Sequence, residues 1–272
     1  MFEFIKSELA KFNIDLVSCL RLDECEIKRA YLLEKHGIND GSVIIFAVPY
    51  LTPVSAGKRN ISSYAVSKDY HFFLTSVFDA ILTKLNKEYP KHTFVAFSDH
   101  SPINEIDAAV KSGLGVQGKN HLLITEKYSS YVFVGEIITS AILPSFADEK
   151  KYCENCKKCE KLCPVNLGDT CECLSAVTQK KGELSQKEIS VIKKNGCAWG
   201  CDICQQVCPH TQSALKKGTI YTNIDYFYDS PTPILKSKEI ENMSKEDFSL
   251  RAYSWRGKNV IMRNLKILEK EE

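Results

Sequence analysis

Long apolar runs are missing from this 272-residue sequence. The longest, Ser42–Leu51, falls well short of the roughly 20 residues that a membrane-crossing helix needs. Met1–Ser18 lacks a basic segment followed by an apolar one, so no secretory leader is expected. A large charge excess is missing too. The 36 Lys and Arg against 34 Asp and Glu leave a formal charge of +2, which excludes whole-molecule steering to nucleic acid and leaves only local patches for that role. There is no low-complexity segment, and no internal repeat apart from a pair of cysteine runs. With 44% apolar residues the chain reads as an ordinary globular protein, expected in a reducing cytoplasm with no membrane partner.

Cysteine, by contrast, is plentiful, with twelve in the chain. Four form the run Cys153-x2-Cys156-x2-Cys159-x3-Cys163-Pro164, the spacing of a bacterial ferredoxin including its closing proline. Three more, Cys201-x2-Cys204-x3-Cys208-Pro209, repeat that run without its first cysteine. A four-iron cluster takes three thiolates from one tight loop, and in two-cluster proteins the fourth of each run crosses to the other cluster. Cys153, Cys156, Cys159 and Cys208 should therefore hold one 4Fe-4S cluster, and Cys163, Cys201 and Cys204 most of a second. A disulfide framework belongs to secreted chains, and zinc sites accept CxxC pairs but not this triple spacing. A regular second run would place the eighth ligand at Ala198. Cys197 is one residue off that register, and Cys171 and Cys173 lie upstream; nearness in sequence leans to Cys197. Electron transfer is the least this chain does.

About 150 residues precede the cysteines, enough for a domain with its own core. Glu3–Phe12 reads as a helix and Ile14–Ser18 as a strand. Val43–Val48 reads as a buried strand. Val77, Phe78, Ile81, Leu82 and Leu85 recur at helical spacing over Phe72–Glu88. Thr93–Phe97 is expected as a strand, Ile103–Lys111 as a helix, and Leu122–Thr125 with Tyr131–Ile138 as a strand pair. Strands alternating with helices indicate an α/β (α+β) architecture. Polar Ser145–Lys151 marks a boundary, giving an α/β domain over 1–148, a cysteine domain over 149–215, and a loop with a basic C-terminal helix near Ser244–Glu271 over 216–272.

Gly113-Leu-Gly115-Val-Gln-Gly118-Lys119-Asn120 satisfies a dinucleotide-binding pattern and nearly a phosphate-binding loop. Both need a strand before the glycines and a helix after them; here the order is reversed, so the glycines are expected to end a helix and permit close backbone approach. Asp99 follows the strand Thr93–Phe97, where α/β folds place chemistry, although an N-cap for the next helix is the simpler role. Asp69 has the same simpler role. Glu136, within an apolar strand, is either paired in the core or lines a pocket.

These segments together resemble the epoxyqueuosine reductase family, cobalamin- and iron–sulfur-dependent enzymes related to reductive dehalogenases. The resemblance spans about Val43 to Gln212. It rests on Asp69-Tyr70-His71, Asp99-His100-Ser101-Pro102-Ile103-Asn104-Glu105, Ser112–Gly115, Gly118-Lys119-Asn120 and Phe133–Ile137. It continues through both cysteine runs, Cys173–Thr178 and Gly200-Cys201-Asp202. A fainter echo, Ile261–Asn264, resembles the start of the family's helical repeats, which are otherwise almost absent. Around Asn60–Ser67 the family's arginine- and glycine-containing approach to Asp-Tyr-His is also missing.

The resemblance implies that Cys173 is the eighth cluster ligand, and that Cys171 and Cys197 are ordinary thiols. It implies a cobalamin in the first domain, with Asp99 as proton donor and with Lys119, Asn120, Ser175 and Asp202 among the contacts. No histidine ligand to cobalt is expected, because Asp69-Tyr70-His71 lacks the glycine of the corresponding corrinoid motif. The implied reaction reduces epoxyqueuosine in tRNA to queuosine, with an external low-potential electron donor. The basic residues Arg251, Arg256, Lys258, Arg263 and Lys266 could contact tRNA phosphates or form a solvated helix covering the core. The alternative function is a ferredoxin-like electron carrier, or a corrinoid iron–sulfur reductase with a non-tRNA substrate.

Overall fold

A continuous run of β-branched and aromatic residues can be buried on both faces of a sheet, and Ser42–Pro49 is buried at every position. The structure, a computed structural model, describes residues 1–165 and 173–269. Its elements begin with α1 (Phe2–Ala10), β1 (Leu16–Arg21), α2 (Ala30–Glu34), β2 (Ser42–Pro49), α3 (Pro53–Ala56) and α4 (Tyr70–Glu88). There follow β3 (Phe94–Phe97), α5 (Glu105–Lys111), β4 (Val116–Gln117), β5 (Leu123–Ile124) and β6 (Val132–Thr139). The rest is helical: α6 (Lys158–Lys161), α7 (Leu174–Gln179), α8 (Gln186–Asn195), α9 (Ile203–Gln206), α10 (Pro209–Lys217), α11 (Ser237–Asn242), α12 (Lys245–Ser249) and α13 (Lys258–Glu269). Cys171, one of the sequence candidates for a cluster ligand, lies outside the described residues.

The chain divides into two compact units, each discontinuous in sequence. The first comprises Met1–Tyr50, His71–Asn155 and Ala214–Ile224; the second comprises Leu51–Tyr70, Cys156–Ser213 and Asp225–Glu272.

In the first unit a four-stranded sheet runs in the order β1-β2-β6-β3, with every pairing antiparallel. Leu122–Thr125 and Tyr131–Ile138 were expected to pair with each other. Instead β6 has both edges taken by β2 and β3, and β5 pairs with β4. The fold is mixed α and β, as expected, and β6 runs antiparallel between β2 and β3. Val43, Ile45, Ala47, Val95 and Ile138 form the core on one side with Ala108 and Val110 of α5. On α4, Leu74, Val77, Ile81 and Leu85 are buried at helical spacing, each contributing about 1.5–3 kcal/mol of transfer free energy.

The glycine segment behaves as its order predicted. Gly113 adopts φ +81° just past the end of α5. A Cβ on Gly115 would lie 2.3 Å from the carbonyl oxygen of Ile124, so that backbone approach requires glycine.

The second unit packs around Trp199 and Tyr253, both fully buried, with Ile61, Val66, Leu235, Ile240, Ile261 and Leu265. The single C-terminal helix expected near Ser244–Glu271 is broken in two. Between α12 and α13 the chain makes a short 3-10 turn at Ser254–Arg256, then Gly257 takes φ +89°, which a continuous helix cannot contain.

Candidate active site and cysteine loops

Asp99 lies two residues beyond β3, in a left-handed conformation (φ +61°) that is uncommon for a residue with a side chain. It is not an N-cap. The following helix starts at Glu105 instead of Ile103, and Asn104 caps it by accepting from Asp107 N at 3.3 Å. Asp99 is thereby released for other contacts. Its Oδ2 is 3.1 Å from His71 Nε2, and its backbone N–H donates to Glu105 Oε1 at 3.0 Å. The Asp99 side chain remains 61% exposed.

The loop around Asp99 is braced from the segment before α2. Lys28 N and Arg29 N both donate to Pro102 O, and the Arg29 guanidinium donates to Ser101 O at 2.8 Å. Tyr31 Oη lies 3.0 Å from His100 Nε2. An exposed aspartate is thus held on a loop whose backbone is fixed at several points.

Beneath it are two further acids. Glu105 is pushed up to about 7, first by burial and then by the charge of Asp99, while Arg29 opposes the shift. Glu136 sits in the centre of β6, opposite Ile45 and Phe97, and is fully buried. Neither of its carboxyl oxygens makes a hydrogen bond of full geometry, and the Ser101 hydroxyl is the polar group that acts on it. Burial raises its pKa well above the ordinary carboxylate range, Glu105 and Asp99 add to the rise, and the Ser101 hydroxyl works against it. Of the two alternatives open from sequence, a paired acid in the core is not what the strand holds: among the described residues Glu136 has no ion-pair partner.

The other expected contacts have distinct surroundings. Lys119 is exposed, and Asn120 accepts from Leu122 N at 3.4 Å in the turn between β4 and β5. Ser175, on α7, accepts from Gln179 Nε2. Asp202 is buried and fully engaged. Its Oδ2 accepts from Arg59 at 2.7 Å, from Ser63 N at 2.7 Å and from the Ser63 hydroxyl at 3.0 Å; its Oδ1 accepts from the Ser62 hydroxyl. Arg59, one residue before the stretch in which the family's arginine was missed, is only 8% exposed at its side chain. That partner was not legible, because 143 residues separate the two groups.

Among the described residues no three Cys, His, Asp or Glu side chains close into a metal-ligating group. The cysteine loops nevertheless have the donors and conformation that clusters use. Asn155 and Lys157, between the thiols of the first run, both have positive φ, which curls the chain there. Within the second unit α6, which carries Cys159, packs against α9, which carries Cys204. Cys163 is raised by burial, and Cys173 adds to the rise. Cys201 is raised by burial, with Cys204 among its charged neighbours. A cavity of about 290 Å³ borders Cys201, Leu174, Ser62 and Asp202. Cys197 is turned to the backbone, its thiol donating to Gly200 O at 3.2 Å and Trp199 O at 3.5 Å.

Sequence reasoning missed what holds these loops in place. Asn264 on α13 is fully buried, and its amide donates to Thr178 O at 2.6 Å and Ala198 O at 2.8 Å. The Thr178 hydroxyl in turn accepts from Gly200 N at 2.9 Å. Of the basic residues considered for tRNA, Arg251, Lys258 and Arg263 spend their donors on backbone carbonyls of Ser230, Glu241 and Met243, and Gly182. The core-covering role suits these three.

A family model described as epoxyqueuosine reductase QueG, DUF1730, matches residues 38–100. An epoxyqueuosine reductase of Atelocyanobacterium thalassa (isolate ALOHA) is 34% identical over 215 residues, covering 75% of this chain and 68% of that protein. One from Lactococcus garvieae (strain Lg2) is 28% identical, covering 97% and 84%. A crystal structure of epoxyqueuosine reductase with a tRNA-Tyr epoxyqueuosine-modified stem loop superposes with a TM-score of 0.76 at 23% identity, covering 98% of this chain and 80% of that one. On the fold of its two units and on this sequence identity, the chain belongs to the epoxyqueuosine reductase family.

Proposed function

We propose that this protein reduces the epoxide of epoxyqueuosine in tRNA to the alkene of queuosine, with two 4Fe-4S clusters, a cobalamin and an external low-potential electron donor. The observation that carries the reading is Asp99: an exposed acid on a braced loop, in contact with His71 and backed by Glu105. The thiol sets fit the clusters in donor chemistry. Cys153, Cys156, Cys159 and Cys208 would hold one, and Cys163, Cys173, Cys201 and Cys204 the other; the family resemblance implies Cys173 as the eighth ligand, and the thiol of Cys197 is occupied by the carbonyls of Trp199 and Gly200. The Asp99 loop fits a cobalamin, since its carboxyl is 61% exposed and in contact with His71 while its backbone N–H is held by Glu105. Bound, the clusters would supply electrons one at a time, and cobalamin the cleavage of the carbon–oxygen bond.

This chain's own residues handle protons and position. The departing epoxide oxygen needs a proton, and Asp99 is the acid placed to give it. His71 orients the Asp99 carboxyl through Oδ2. Lys119 and Asn120 offer polar contacts to the cofactor, as does Ser175. Asp202 contributes by fixing the backbone next to Cys201, and its oxygens are already committed to Arg59, Ser62 and Ser63.

The test is an anaerobic reaction of the reconstituted protein with epoxyqueuosine-containing tRNA and a low-potential reductant, followed by mass spectrometry of the nucleosides. Asp99→Asn should keep iron, sulfide and cobalamin contents while turnover falls by about 10²–10⁴-fold. Undiminished turnover in that variant would remove Asp99 from the chemistry. A wild-type protein that holds every cofactor and makes no queuosine would point to another substrate.

A further inference from the structure

The tip of an exposed loop gains little from burial, so its shape must come from the bonds that reach it. Ser101, Pro102 and Ile103 are buried, and the backbone there is tied down: Lys28 N and Arg29 N donate to Pro102 O, and Asn104 N donates to Glu26 O at 2.9 Å. Asp99 and His100, immediately before, are exposed. There the chain turns sharply. The His100 N–H donates to Ser98 O at 2.7 Å, closing a three-residue turn with Asp99 at its apex and φ +61°. A turn of this size with positive φ at its centre is rare and strained, and such strain persists only where the surroundings over-determine it.

Two side chains do so. Glu105 Oε1 accepts the Asp99 N–H at 3.0 Å, and Tyr31 Oη lies 3.0 Å from His100 Nε2. Tyr31 stands on α2, whose Leu33 is buried in the core of the first unit, so the clasp joins the tip to a fixed part of the fold. Tyr31 is no part of that core, being 56% exposed. A hydrogen bond between two exposed side chains adds little to folding stability, because water replaces it. Stability is therefore a weak reason for this pairing, and its position beside Asp99 is a strong one.

We propose that Tyr31 is a positioning residue for Asp99. Tyr31 bonds His100, His100 fixes the strained turn, and the turn aims the carboxyl that His71 contacts at 3.1 Å. The inference rests on the proposed role of Asp99 as proton donor. A displacement of about 1 Å can cost about 10²-fold in rate, so one hydrogen bond at the neighbouring residue is enough to matter.

Tyr31→Phe deletes a hydroxyl and keeps the ring. In the reconstituted holoenzyme it should lower kcat by about 10–100-fold, with KM for epoxyqueuosine-containing tRNA and the urea midpoint of unfolding unchanged. In an Asp99→Asn background the same substitution should cost nothing further, because residues that act as a unit are not additive. An unchanged kcat, equal losses in both backgrounds, or a raised KM with kcat intact would overturn the proposal. Amide hydrogen exchange of the full chain needs no turnover and reads the turn itself. The Asp99 and His100 amides should exchange about tenfold faster in Tyr31→Phe, while those of β2 and β6 stay as they are. Unchanged exchange at the tip would also overturn the proposal. If Asp99→Asn keeps full turnover, or wild type makes no queuosine, the reading of Asp99 fails, and the exchange result still decides whether Tyr31 holds the turn.

Discussion

Asp99 shows how a residue's role turns on a neighbour. Read alone, an aspartate before a helix is most simply its cap, and only the start of α5 at Glu105, capped by Asn104, frees it. That shift of two residues is below what apolar periodicity resolves. Glu136 was visible in sequence as a lone acid in an apolar strand, but its environment was not, because the charges of Glu105 and Asp99 that act on it come from segments distant along the chain. The pH consequence is specific. Folding raises Glu105 from its ordinary 4.5 to about 7, so the native state favours the protonated acid. The stability this contributes is complete below about 4.5 and is lost as pH rises through about 7. Denaturant titrations at pH 5 and pH 8 should therefore show wild type losing more stability than Glu105→Gln over that interval. Parallel losses would mean that Glu105 is not perturbed by folding.

At the scale of elements, strong periodic or continuous patterns were legible. The buried strand β2, the long helix α4 and the helix-ending glycine at Gly113 all came from local signals. Pairing was not legible, since nothing in Leu123–Ile124 says whether its partner lies upstream across the glycines or downstream in β6. The break at Gly257 was hidden by amphipathic residues on both sides of it. The anchoring of α9 was hidden too. Its N-cap position is Asp202, whose carboxylate leaves the helix and gathers Arg59, Ser62 and Ser63 from the segment after α3. Removing one member of such a buried pair strands the other. Asp202→Ala should cost about 3–5 kcal/mol in chemical denaturation and release the Cys201–Cys204 loop. A loss under about 1 kcal/mol would show the pair to be dispensable. Gly200 is constrained by the same neighbours, for at φ +71° its Cβ would lie 2.5 Å from that of Ser62.

For the whole molecule, sequence order and spatial order part company. The segment Ala214–Ile224 follows both cysteine runs, yet it completes the first unit. Ile220 is fully buried, Thr219 donates its hydroxyl to Lys127 O at 3.0 Å, and Asn13 donates to Asn223 O at 3.0 Å. Ile220→Ala should lower stability by about 2–5 kcal/mol. Hydrogen exchange should report the loss in β1, β2 and β6, far away in sequence. Protection lost only in the helices of the second unit would contradict that division. Among the described residues no helix is long and apolar enough to cross a membrane.

Asn264 has a consequence in time. A chain growing on the ribosome exposes Cys163, Cys173, Cys201 and Cys204 while α13 is still unmade. Until Asn264 arrives, the carbonyls of Thr178 and Ala198 lack the amide that binds the two loops together. The nascent polypeptide would thus own a full set of thiols without the scaffold to present them. The contacts that fix the Thr178 and Ala198 backbone therefore form only once synthesis has passed Asn264.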